Sequence, residues 1–340
     1  MTADQLYMNR ALQLAKIGLA KAMPNPSVGA VIVHKNTIIG EGFTSAFGGS
    51  HAEVNAINSV RNQSLLKEST LYVTLEPCSH FGKTPPCVNL IIEKKIPKVV
   101  IGCIDPFAKV AGRGVQLLKN NQVEVSYVLE KKCQQSHQRF FTFHQKKRPY
   151  IILKWAQSTD GFIAPHNKNE QKPIWLSNQY SRQLTHKWRK EEMAILVGKQ
   201  TVLDDNPSLT TRHWKGKNPV RLFIDSKNKI DDSYQILNQE AQTCRFTQIK
   251  KAANDVIIPF ENTVQEICDF CYENNLQSII IEGGRQTLQS FIDAGIWDEA
   301  RVFETPVILH QGISIPKLID FQKEKSIDVE GDCLGIYVHK

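Results

Sequence analysis

Four residues in the first quarter of the chain have the types and spacing of a hydrolytic metal centre. His51 is followed two positions later by Glu53, and Cys78 and Cys87 come after them. One imidazole and two thiolates are ligands for a tetrahedral Zn²⁺, and they leave its fourth position for water. Glu53 is then a carboxylate beside the metal that does not have to bind it. This pattern predicts hydrolytic deamination, in which the metal lowers the pKa of water and the glutamate transfers protons.

The elements around these residues have to bring them together. The hydrophobic pattern of residues 1–145 alternates between helix and strand, which predicts a mixed sheet with helices on both faces. The histidine and the cysteines fall where a loop or strand enters a helix, and the positive end of a helix dipole lowers the pKa of a thiol. After a first amphipathic helix, strands are predicted at 28–33, 37–42, 71–75, 99–103 and 123–128, and helices at 51–60, 85–94, 112–120 and 131–143.

A charged segment that ends in proline, residues 144–149, predicts a boundary between two domains, 1–146 and 150–340. Two domains are also what a chain of 340 residues favours. In the second half, Gly283 and Gly284 lie between a strand and a helix, where the backbone can approach a diphosphate. Strands are predicted there at 150–157, 194–197, 220–225, 256–258, 278–281 and 300–303, and helices at 178–190, 263–274 and 286–294.

Composition limits the partners and the compartment. The net charge of +8 fits either a mildly basic surface or binding of phosphorylated substrates and cofactors. No run of Lys and Arg with interleaved aromatics predicts nucleic-acid binding, since residues 146–148 (KKR) are too short. No segment is apolar and long enough to be a signal peptide or a membrane span, so we expect a cytoplasmic protein without membrane contact.

The remaining cysteines do not predict a disulfide framework in a chain of this length. Cys268 and Cys271 form a C-x-x-C pair inside a predicted helix, and no second Cys/His pair lies at zinc-finger spacing. We therefore interpret both as structural residues.

Several motifs of the first half resemble the bifunctional deaminase/reductase of riboflavin biosynthesis. These motifs are residues 25–29 (NPSVG), 51–53 (HAE), 74–87 (TLEPCSHFGKTPPC), 105–106 (DP) and 110–114 (VAGRG). Nucleoside and tRNA deaminases have two residues between the cysteines, whereas this chain has the longer insert of the pyrimidine deaminase. The resemblance implies an N-terminal cytidine-deaminase-like three-layer α/β/α domain and a C-terminal dihydrofolate-reductase-like α/β domain.

The resemblance also implies roles for residues of the first half. His51, Cys78 and Cys87 would bind Zn²⁺, and Glu53 would be the catalytic proton shuttle. The residues expected to contact the phosphoribosyl pyrimidine are Asn25, His80 and Lys83; Asn25 can equally be a turn former. The chain departs from the family at Thr44, where a histidine is common.

The second half resembles the reductase domain of the same family through residues 154–161 (KWAQSTDG), 175–177 (WLS), 197–210 (VGKQTVLDDNPSLT), 221–225 (RLFID) and 282–284 (EGG). No G-x-G-x-x-G follows a strand, so a Rossmann site is not predicted, and the resemblance implies NADPH. Pro173 departs from the family, in which a serine often precedes the tryptophan. The implied substrate contacts are Lys154, Arg189, Leu209, Arg212 and Glu282, and the implied cofactor contacts are Ala156, Trp175, Thr201, Asp205, Gly284, Arg285, Gln286, Thr287 and Leu288. For Arg189 a solvated helix charge is the alternative, and Leu209 fits a packing residue beside the substrate.

By this resemblance the chain deaminates a diamino phosphoribosyl pyrimidine and then reduces its ribosyl group with NADPH, and we expect a homo-oligomer. Two alternatives remain open at this point. One is a deaminase of a nucleic-acid base or nucleoside with the second half as a binding module. The other is a non-catalytic scaffold stabilised by zinc, although structural zinc sites normally have four protein ligands.

Overall fold

The structure is a computed structural model that describes residues 1–81, 85–106, 112–166 and 170–340. These residues form two compact units, Met1–Lys147 and Arg148–Lys340. None of the helices in the described ranges combines the length and hydrophobicity needed to cross a bilayer.

The first unit contains a five-stranded sheet in the order β2-β1-β3-β4-β5. β1 is antiparallel to β2 and β3, whereas β3, β4 and β5 run parallel. A short 3₁₀ helix, Gln63–Glu68, precedes β3. The strands are β1 (Gly29–His34), β2 (Thr37–Phe43), β3 (Thr70–Val73), β4 (Lys98–Ile101) and β5 (Glu124–Tyr127), and the helices are α1 (Ala3–Ala22), α2 (Ala52–Ser59), α3 (Cys87–Glu93), α4 (Arg113–Asn120), α5 (Glu130–Ser136) and α6 (Gln138–Lys146).

Two glycines show that α1 and α2 cover opposite faces of this sheet. Gly29 and Ala30 are consecutive in β1, so their side-chain positions point to opposite faces. Gly42 of β2 is the partner of Ala30 and therefore shares its face. A Cβ on Gly29 would lie 1.9 Å from the Ala11 carbonyl oxygen of α1, and one on Gly42 would lie 2.4 Å from the Ala52 carbonyl oxygen of α2. Both helices thus rest on the sheet at a distance that only glycine allows, and this produces three layers.

The predicted helix 131–143 is divided in the structure into α5 and α6. The division falls at His137, whose φ of −106° and ψ of 10° depart from helical values. Its ring is buried, and Nε2 lies 3.1 Å from the Thr74 hydroxyl. Burial lowers the pKa of His137 to about 4, so the ring is neutral at pH 7. This tertiary contact has no local sequence signal, which is why one continuous helix is the simpler prediction.

The second unit is built on a nine-stranded sheet in the order β11-β10-β9-β8-β12-β6-β13-β16-β15. A second short 3₁₀ helix covers Gln235–Leu237, and a small sheet pairs β7 with β14. The strands are β6 (Tyr150–Ser158), β7 (Phe162–Ala164), β8 (Ala194–Gly198), β9 (Val220–Ile224), β10 (Thr243–Thr247), β11 (Asp255–Ile257), β12 (Ser278–Gly283), β13 (Glu299–Thr305), β14 (Ile313–Ser314), β15 (Phe321–Val329) and β16 (Asp332–His339), and the helices are α7 (Gln179–Glu191), α8 (Lys199–Asp205), α9 (Thr263–Glu273) and α10 (Arg285–Asp293).

The large sheet places its central strand ends where a ligand site is expected. All pairs from β11 through β13 are parallel, and the hairpin β15–β16 adds two antiparallel strands. The chain builds outward from β8 to β11, returns to the centre with β12, and then adds β13 on the other side of β6. Ligands of open α/β sheets bind at the carboxyl ends of the strands where the direction of winding reverses. In this sheet that position is the end of β12, at Glu282 and Gly283.

Candidate active sites

The three predicted metal ligands of the first unit converge. His51 is the N-cap residue of α2, Cys78 lies in the loop after β3, and Cys87 begins α3. The Nδ1 atom of His51 lies 3.5 Å from Sγ of Cys78 and 3.3 Å from Sγ of Cys87. In the part of the chain that the structure describes, these three side chains form one potential metal-binding group whose ligand atoms all lie within 4.8 Å of one another.

The donor set of this group fits zinc. Hydrogen bonds from Cys87 and with His51 lower the pKa of the Cys78 thiol to about 4. The pKa of the Cys87 thiol is raised by the bond to Cys78 and by burial, so the two thiols together hold one proton. A divalent cation would replace this proton, since thiolates bind zinc. Two sulfurs and one nitrogen are the ligands of an open site with a fourth position for water.

Glu53 lies in the first turn of α2, beside the metal-binding group. Its side chain is buried, with 4% of the residue exposed. Burial and the negative charge of Cys78 raise the pKa of Glu53 to about 7. A carboxyl group that gains and loses a proton near neutral pH is suited to general acid–base chemistry.

Glu76, which the sequence interpretation noted only as part of a motif, holds the cysteine loop in place. Its Oε1 accepts hydrogen bonds from the backbone N–H groups of Gly114 (2.9 Å) and Val115 (3.2 Å) at the start of α4. Its Oε2 accepts from the N–H groups of Asp105 (3.3 Å) and Gly112 (2.9 Å). A carboxylate is favourable at the positive end of a helix. Because Cys78 is two residues away, these bonds position a predicted metal ligand.

Of the other residues predicted for the first site, the structure describes Asn25 and His80. Asn25 is half-buried in the turn after α1, and its backbone N–H donates to the Ala22 carbonyl (2.9 Å), as expected of a turn former. His80 is exposed. Lys83 lies outside the described residues. Thr44 is buried, and its hydroxyl accepts a hydrogen bond from the Val28 N–H (2.9 Å), so it supports backbone structure where the family commonly has histidine.

In the second unit, three of the predicted substrate residues form a buried ionic group. The Arg189 guanidinium donates from Nε and Nη2 to the two carboxylate oxygens of Glu282, each at 2.8 Å. Lys154 Nζ lies 3.7 Å from the same carboxylate. Although burial opposes ionisation, the charges of Arg189 and Lys154 lower the pKa of Glu282 to about 2. The Arg189 side chain is therefore paired and largely enclosed, and it is not a solvated helix charge.

The loop after α8 supplies the next two predicted residues. Arg212 donates from Nη1 to the Ser208 hydroxyl (2.9 Å), and Arg189 donates from Nη1 to the Thr210 carbonyl (3.1 Å). Leu209 between them is 3% exposed and has a positive φ of 52°. Its side chain packs in the core cluster of α7, β8 and β9, which agrees with a packing role beside the substrate.

Five of the predicted cofactor contacts, residues 284–288, form the start of α10, and Thr201 lies against the glycine turn that precedes it. Gly284 precedes this helix with φ of 70°, a conformation that favours glycine. A Cβ there would lie 3.4 Å from the Thr201 hydroxyl, so Thr201 and the glycine turn are neighbours. Arg285 and Gln286 are exposed.

The remaining predicted contacts differ in exposure. Leu288 is 1% exposed and packs in the core, and its backbone N–H donates to the Gly284 carbonyl (3.1 Å). Trp175 is 53% exposed and carries Arg182 over its ring at 5.0 Å. Thr287 is buried, and Ala156 and Asp205 are half-buried.

Two imidazoles beside the ionic group of Arg189, Glu282 and Lys154 were not predicted from the sequence. His186 lies one turn before Arg189 on α7, and His213 follows Arg212. Their ring centroids are 4.7 Å apart with an interplanar angle of 84°. The available signal was the spacing of His186 and Arg189, because residues three apart share one face of a helix.

Each of the two units matches a known protein family. Residues 149–335 match the RibD C-terminal domain, and residues 1–103 match the cytidine and deoxycytidylate deaminase zinc-binding region. These matches and the structural similarities below confirm the fold class that was predicted from the sequence.

Relatives match over nearly the whole length. The riboflavin biosynthesis protein RibD of Aquifex aeolicus is 38% identical and covers 96% of this chain and 93% of the relative. RibD of Escherichia coli is 32% identical, over 90% of this chain and 88% of the relative. The crystal structure of a diaminohydroxyphosphoribosylaminopyrimidine deaminase/5-amino-6-(5-phosphoribosylamino)uracil reductase from Thermotoga maritima is 35% identical, with a TM-score of 0.90 and 99% of both chains covered. RibD of Acinetobacter baumannii is 30% identical, with a TM-score of 0.88 over 99% of this chain and 98% of that one. The chain therefore belongs to the RibD family of riboflavin biosynthesis, whose members join a zinc-binding deaminase domain to a reductase domain.

Proposed function

We propose that this chain catalyses two successive reactions on one pyrimidine. The first is zinc-dependent hydrolytic deamination of 2,5-diamino-6-(5-phosphoribosylamino)pyrimidin-4-one. The second is NADPH-dependent reduction of the ribosyl group of the product, which gives 5-amino-6-(5-phosphoribitylamino)uracil. The observation that carries the proposal is the convergence of His51, Cys78 and Cys87 beside the buried Glu53, in a chain whose second unit contains the buried Arg189–Glu282 pair.

In the deaminase site, His51, Cys78 and Cys87 would hold zinc, which supplies a water of lowered pKa when bound. Glu53 accepts the proton of the attacking water, and because burial raises the pKa of its carboxyl group it can return that proton to the substrate. It passes this proton to the ring nitrogen, and it then takes the proton of the new hydroxyl group on the reacting carbon and gives it to the departing amino group, which leaves as ammonia. Asn25, His80 and Lys83 would contact the pyrimidine and its phosphoribosyl group.

In the reductase site, Arg189 and Arg212 would bind the phosphate of the substrate. A guanidinium has five N–H donors, and the contacts to Glu282 and Thr210 use three of those of Arg189. The others remain able to meet phosphate oxygens, which match the geometry of the guanidinium. Leu209 borders the substrate through packing.

Lys154 and Glu282 would orient the ring-opened sugar. Burial and the Arg189 charge lower the pKa of Lys154, which suits a cation that exchanges a proton with the substrate. NADPH would supply the hydride that reduces the sugar carbon bearing the amine. The residues proposed to hold it are Ala156, Trp175, Thr201, Asp205, Gly284, Arg285, Gln286, Thr287 and Leu288.

The two activities would divide between residues 1–146 and residues 150–340. Homo-oligomer formation and a cytoplasmic location stay predictions; light scattering of the purified protein tests the first. Cell fractionation tests the second.

A coupled assay tests the proposal. The purified protein receives the diamino substrate with and without NADPH, and ammonia and NADPH are both measured. We expect ammonia release in either case and NADPH oxidation only after deamination. A zinc chelator should stop ammonia release but leave reduction of pre-deaminated substrate intact. Ammonia released from cytidine or from a tRNA anticodon, and none from the phosphoribosyl pyrimidine, would contradict the proposal.

A further inference from the structure

Two histidines of the second unit lie beside the proposed phosphate-binding arginines. His186 is on α7 and is 3% exposed, although histidine is a polar residue. His213 lies in the loop between α8 and β9 and packs its ring edge-on against His186, with centroids 4.7 Å apart. The pair therefore places an exposed imidazole next to a buried one.

The buried ring of His186 has an unsatisfied polar atom. Among the residues that the structure describes, its Nδ1 has no hydrogen-bond partner. Buried nitrogen atoms of this kind are normally paired, because leaving one unpaired costs free energy. Such an atom fits a site whose partner arrives with a ligand.

The charges around His186 are predominantly positive. Arg189, on the same helix, and Arg212 and His213, in the loop that packs against it, all lower the pKa of His186. Glu282 at the end of β12 raises it, and burial is the largest cause that lowers it, so that the pKa is about 4. Glu282 is already bound by Arg189, whereas the partner of Arg212 is the neutral hydroxyl of Ser208. The carboxylates of Glu240 and Glu282 also act on the charge of Arg212. Arg212 is exposed, so its guanidinium is the part of this group that an incoming anion can reach.

We propose that His186, supported by His213, is a further binding residue for the phosphate of the reductase substrate. The inference deepens the proposed function and rests on it. The neutral ring carries its hydrogen on Nδ1 and donates it to a phosphate oxygen, next to the guanidinium groups of Arg189 and Arg212. His213 orients the ring through the edge-on contact. The ligand class is a phosphate monoester dianion.

Binding of the dianion changes the electrostatics of His186. The negative charge offsets the arginines that hold the pKa of His186 at about 4. The pKa of His186 should therefore rise when phosphate binds. The ¹⁵N imidazole signals of the protein, followed over pH with and without ribose 5-phosphate, measure this change. A titration of His186 that is the same with and without the ligand would contradict the inference.

Three substitutions of His186 separate binding from folding. Asn carries its amide near the position of Nδ1, Gln carries it near Nε2, and Leu has no donor. We expect H186L and H186Q to weaken ribose 5-phosphate binding by about tenfold or more, and H186N to stay within about threefold of the wild type. The KM for the deaminated substrate should rise in the same order, with kcat changed less. H339N is the matched control, since His339 also packs against an aromatic ring, Trp297, at 4.8 Å.

The outcomes distinguish this inference from the proposed function. Urea unfolding followed by tryptophan fluorescence checks that the second unit of each variant is folded, because all 5 tryptophans lie in that unit. If H186L and H186Q bind ribose 5-phosphate as the wild type does, or if H186N fails as badly as H186L, the inference is wrong. If the wild type binds ribose 5-phosphate through His186 but does not reduce the pyrimidine, the proposed substrate is wrong and the role of His186 stands.

Discussion

Arg189 and Glu282 are 93 residues apart in the chain, and they meet through two parallel hydrogen bonds of 2.8 Å each. The exposed fraction of their side chains is 11% for Arg189 and 6% for Glu282. This pair joins α7 to the end of the central strand β12, so it connects two elements that carry residues of the proposed reductase site.

Replacing Arg189 should therefore affect stability and reduction together. R189A leaves the Glu282 carboxylate buried without its main partner, which costs about 3–5 kcal/mol of unfolding free energy. NADPH oxidation with the deaminated substrate should be lost, while ammonia release and zinc content persist. K187A is the control, because Lys187 is on the same helix with 41% of its side chain exposed. Equal loss of both activities would mean that the two sites are not independent.

The same pair predicts a pH dependence of stability. The pKa of Glu282 falls from 4.5 to about 2 on folding, so its stabilisation is complete above pH 4.5 and is lost as the pH falls toward 2. The amount is on the order of 3 kcal/mol. E282Q should be less stable at pH 7 and should lose less stability between pH 4.5 and 2. Urea unfolding followed by tryptophan fluorescence measures this, because all 5 tryptophans lie in the second unit. Parallel acid-induced losses in E282Q and wild type would contradict the prediction.

Glu53 provides the sharpest test of the deaminase site. E53Q removes the proton carrier and leaves His51, Cys78 and Cys87 intact. General acid–base catalysis contributes about 100-fold or more, so deamination should fall by at least that factor while zinc content stays at the wild-type level. Metal analysis and ammonia release on one preparation measure both quantities. Undiminished deamination with metal bound would refute the assigned role.

Glu76 should behave as a positioning residue. The Glu76 carboxylate accepts hydrogen bonds from four backbone N–H groups. E76Q replaces one of its oxygens with an NH₂ group, which cannot accept them. Hydrogen bonds to charged groups are worth about 1.5–3 kcal/mol each, so we expect a loss of roughly 3 kcal/mol and weaker zinc binding. Thermal unfolding by circular dichroism and a competitive zinc titration measure these effects. E68Q is the control, since the Glu68 side chain is 67% exposed. If E76Q unfolds and binds zinc like E68Q, the carboxylate does not position the loop.

The sequence predicts the metal-binding group well, because ligand type and spacing along the chain are local information. It also predicts the buried parallel strands, such as β8 and β12, which are continuous apolar segments. The sequence does not predict β15, because almost every residue of this strand is exposed and the strand has no alternation of buried apolar and exposed polar residues. It also did not predict β7, β10, β14, β16 and α8.

The other features that the sequence does not predict are contacts between residues far apart in the chain. The Arg189–Glu282 pair and the His186–His213 contact depend on how α7, a loop and β12 are arranged in space. Periodicity places His186 and Arg189 on one face of a helix, but it does not say what that face meets. The same limit explains the division of the predicted helix at His137.

Gly42 touches neither of the proposed reaction centres, yet the contact described for it has a consequence for catalysis. Its Cβ position overlaps the backbone of the helix that begins just after His51 and carries Glu53. A methyl group there would push this helix outward, and the imidazole and the proton carrier would move with it as a single body. In a mutational screen, position 42 would then score like a catalytic position, although its side chain meets no reactant.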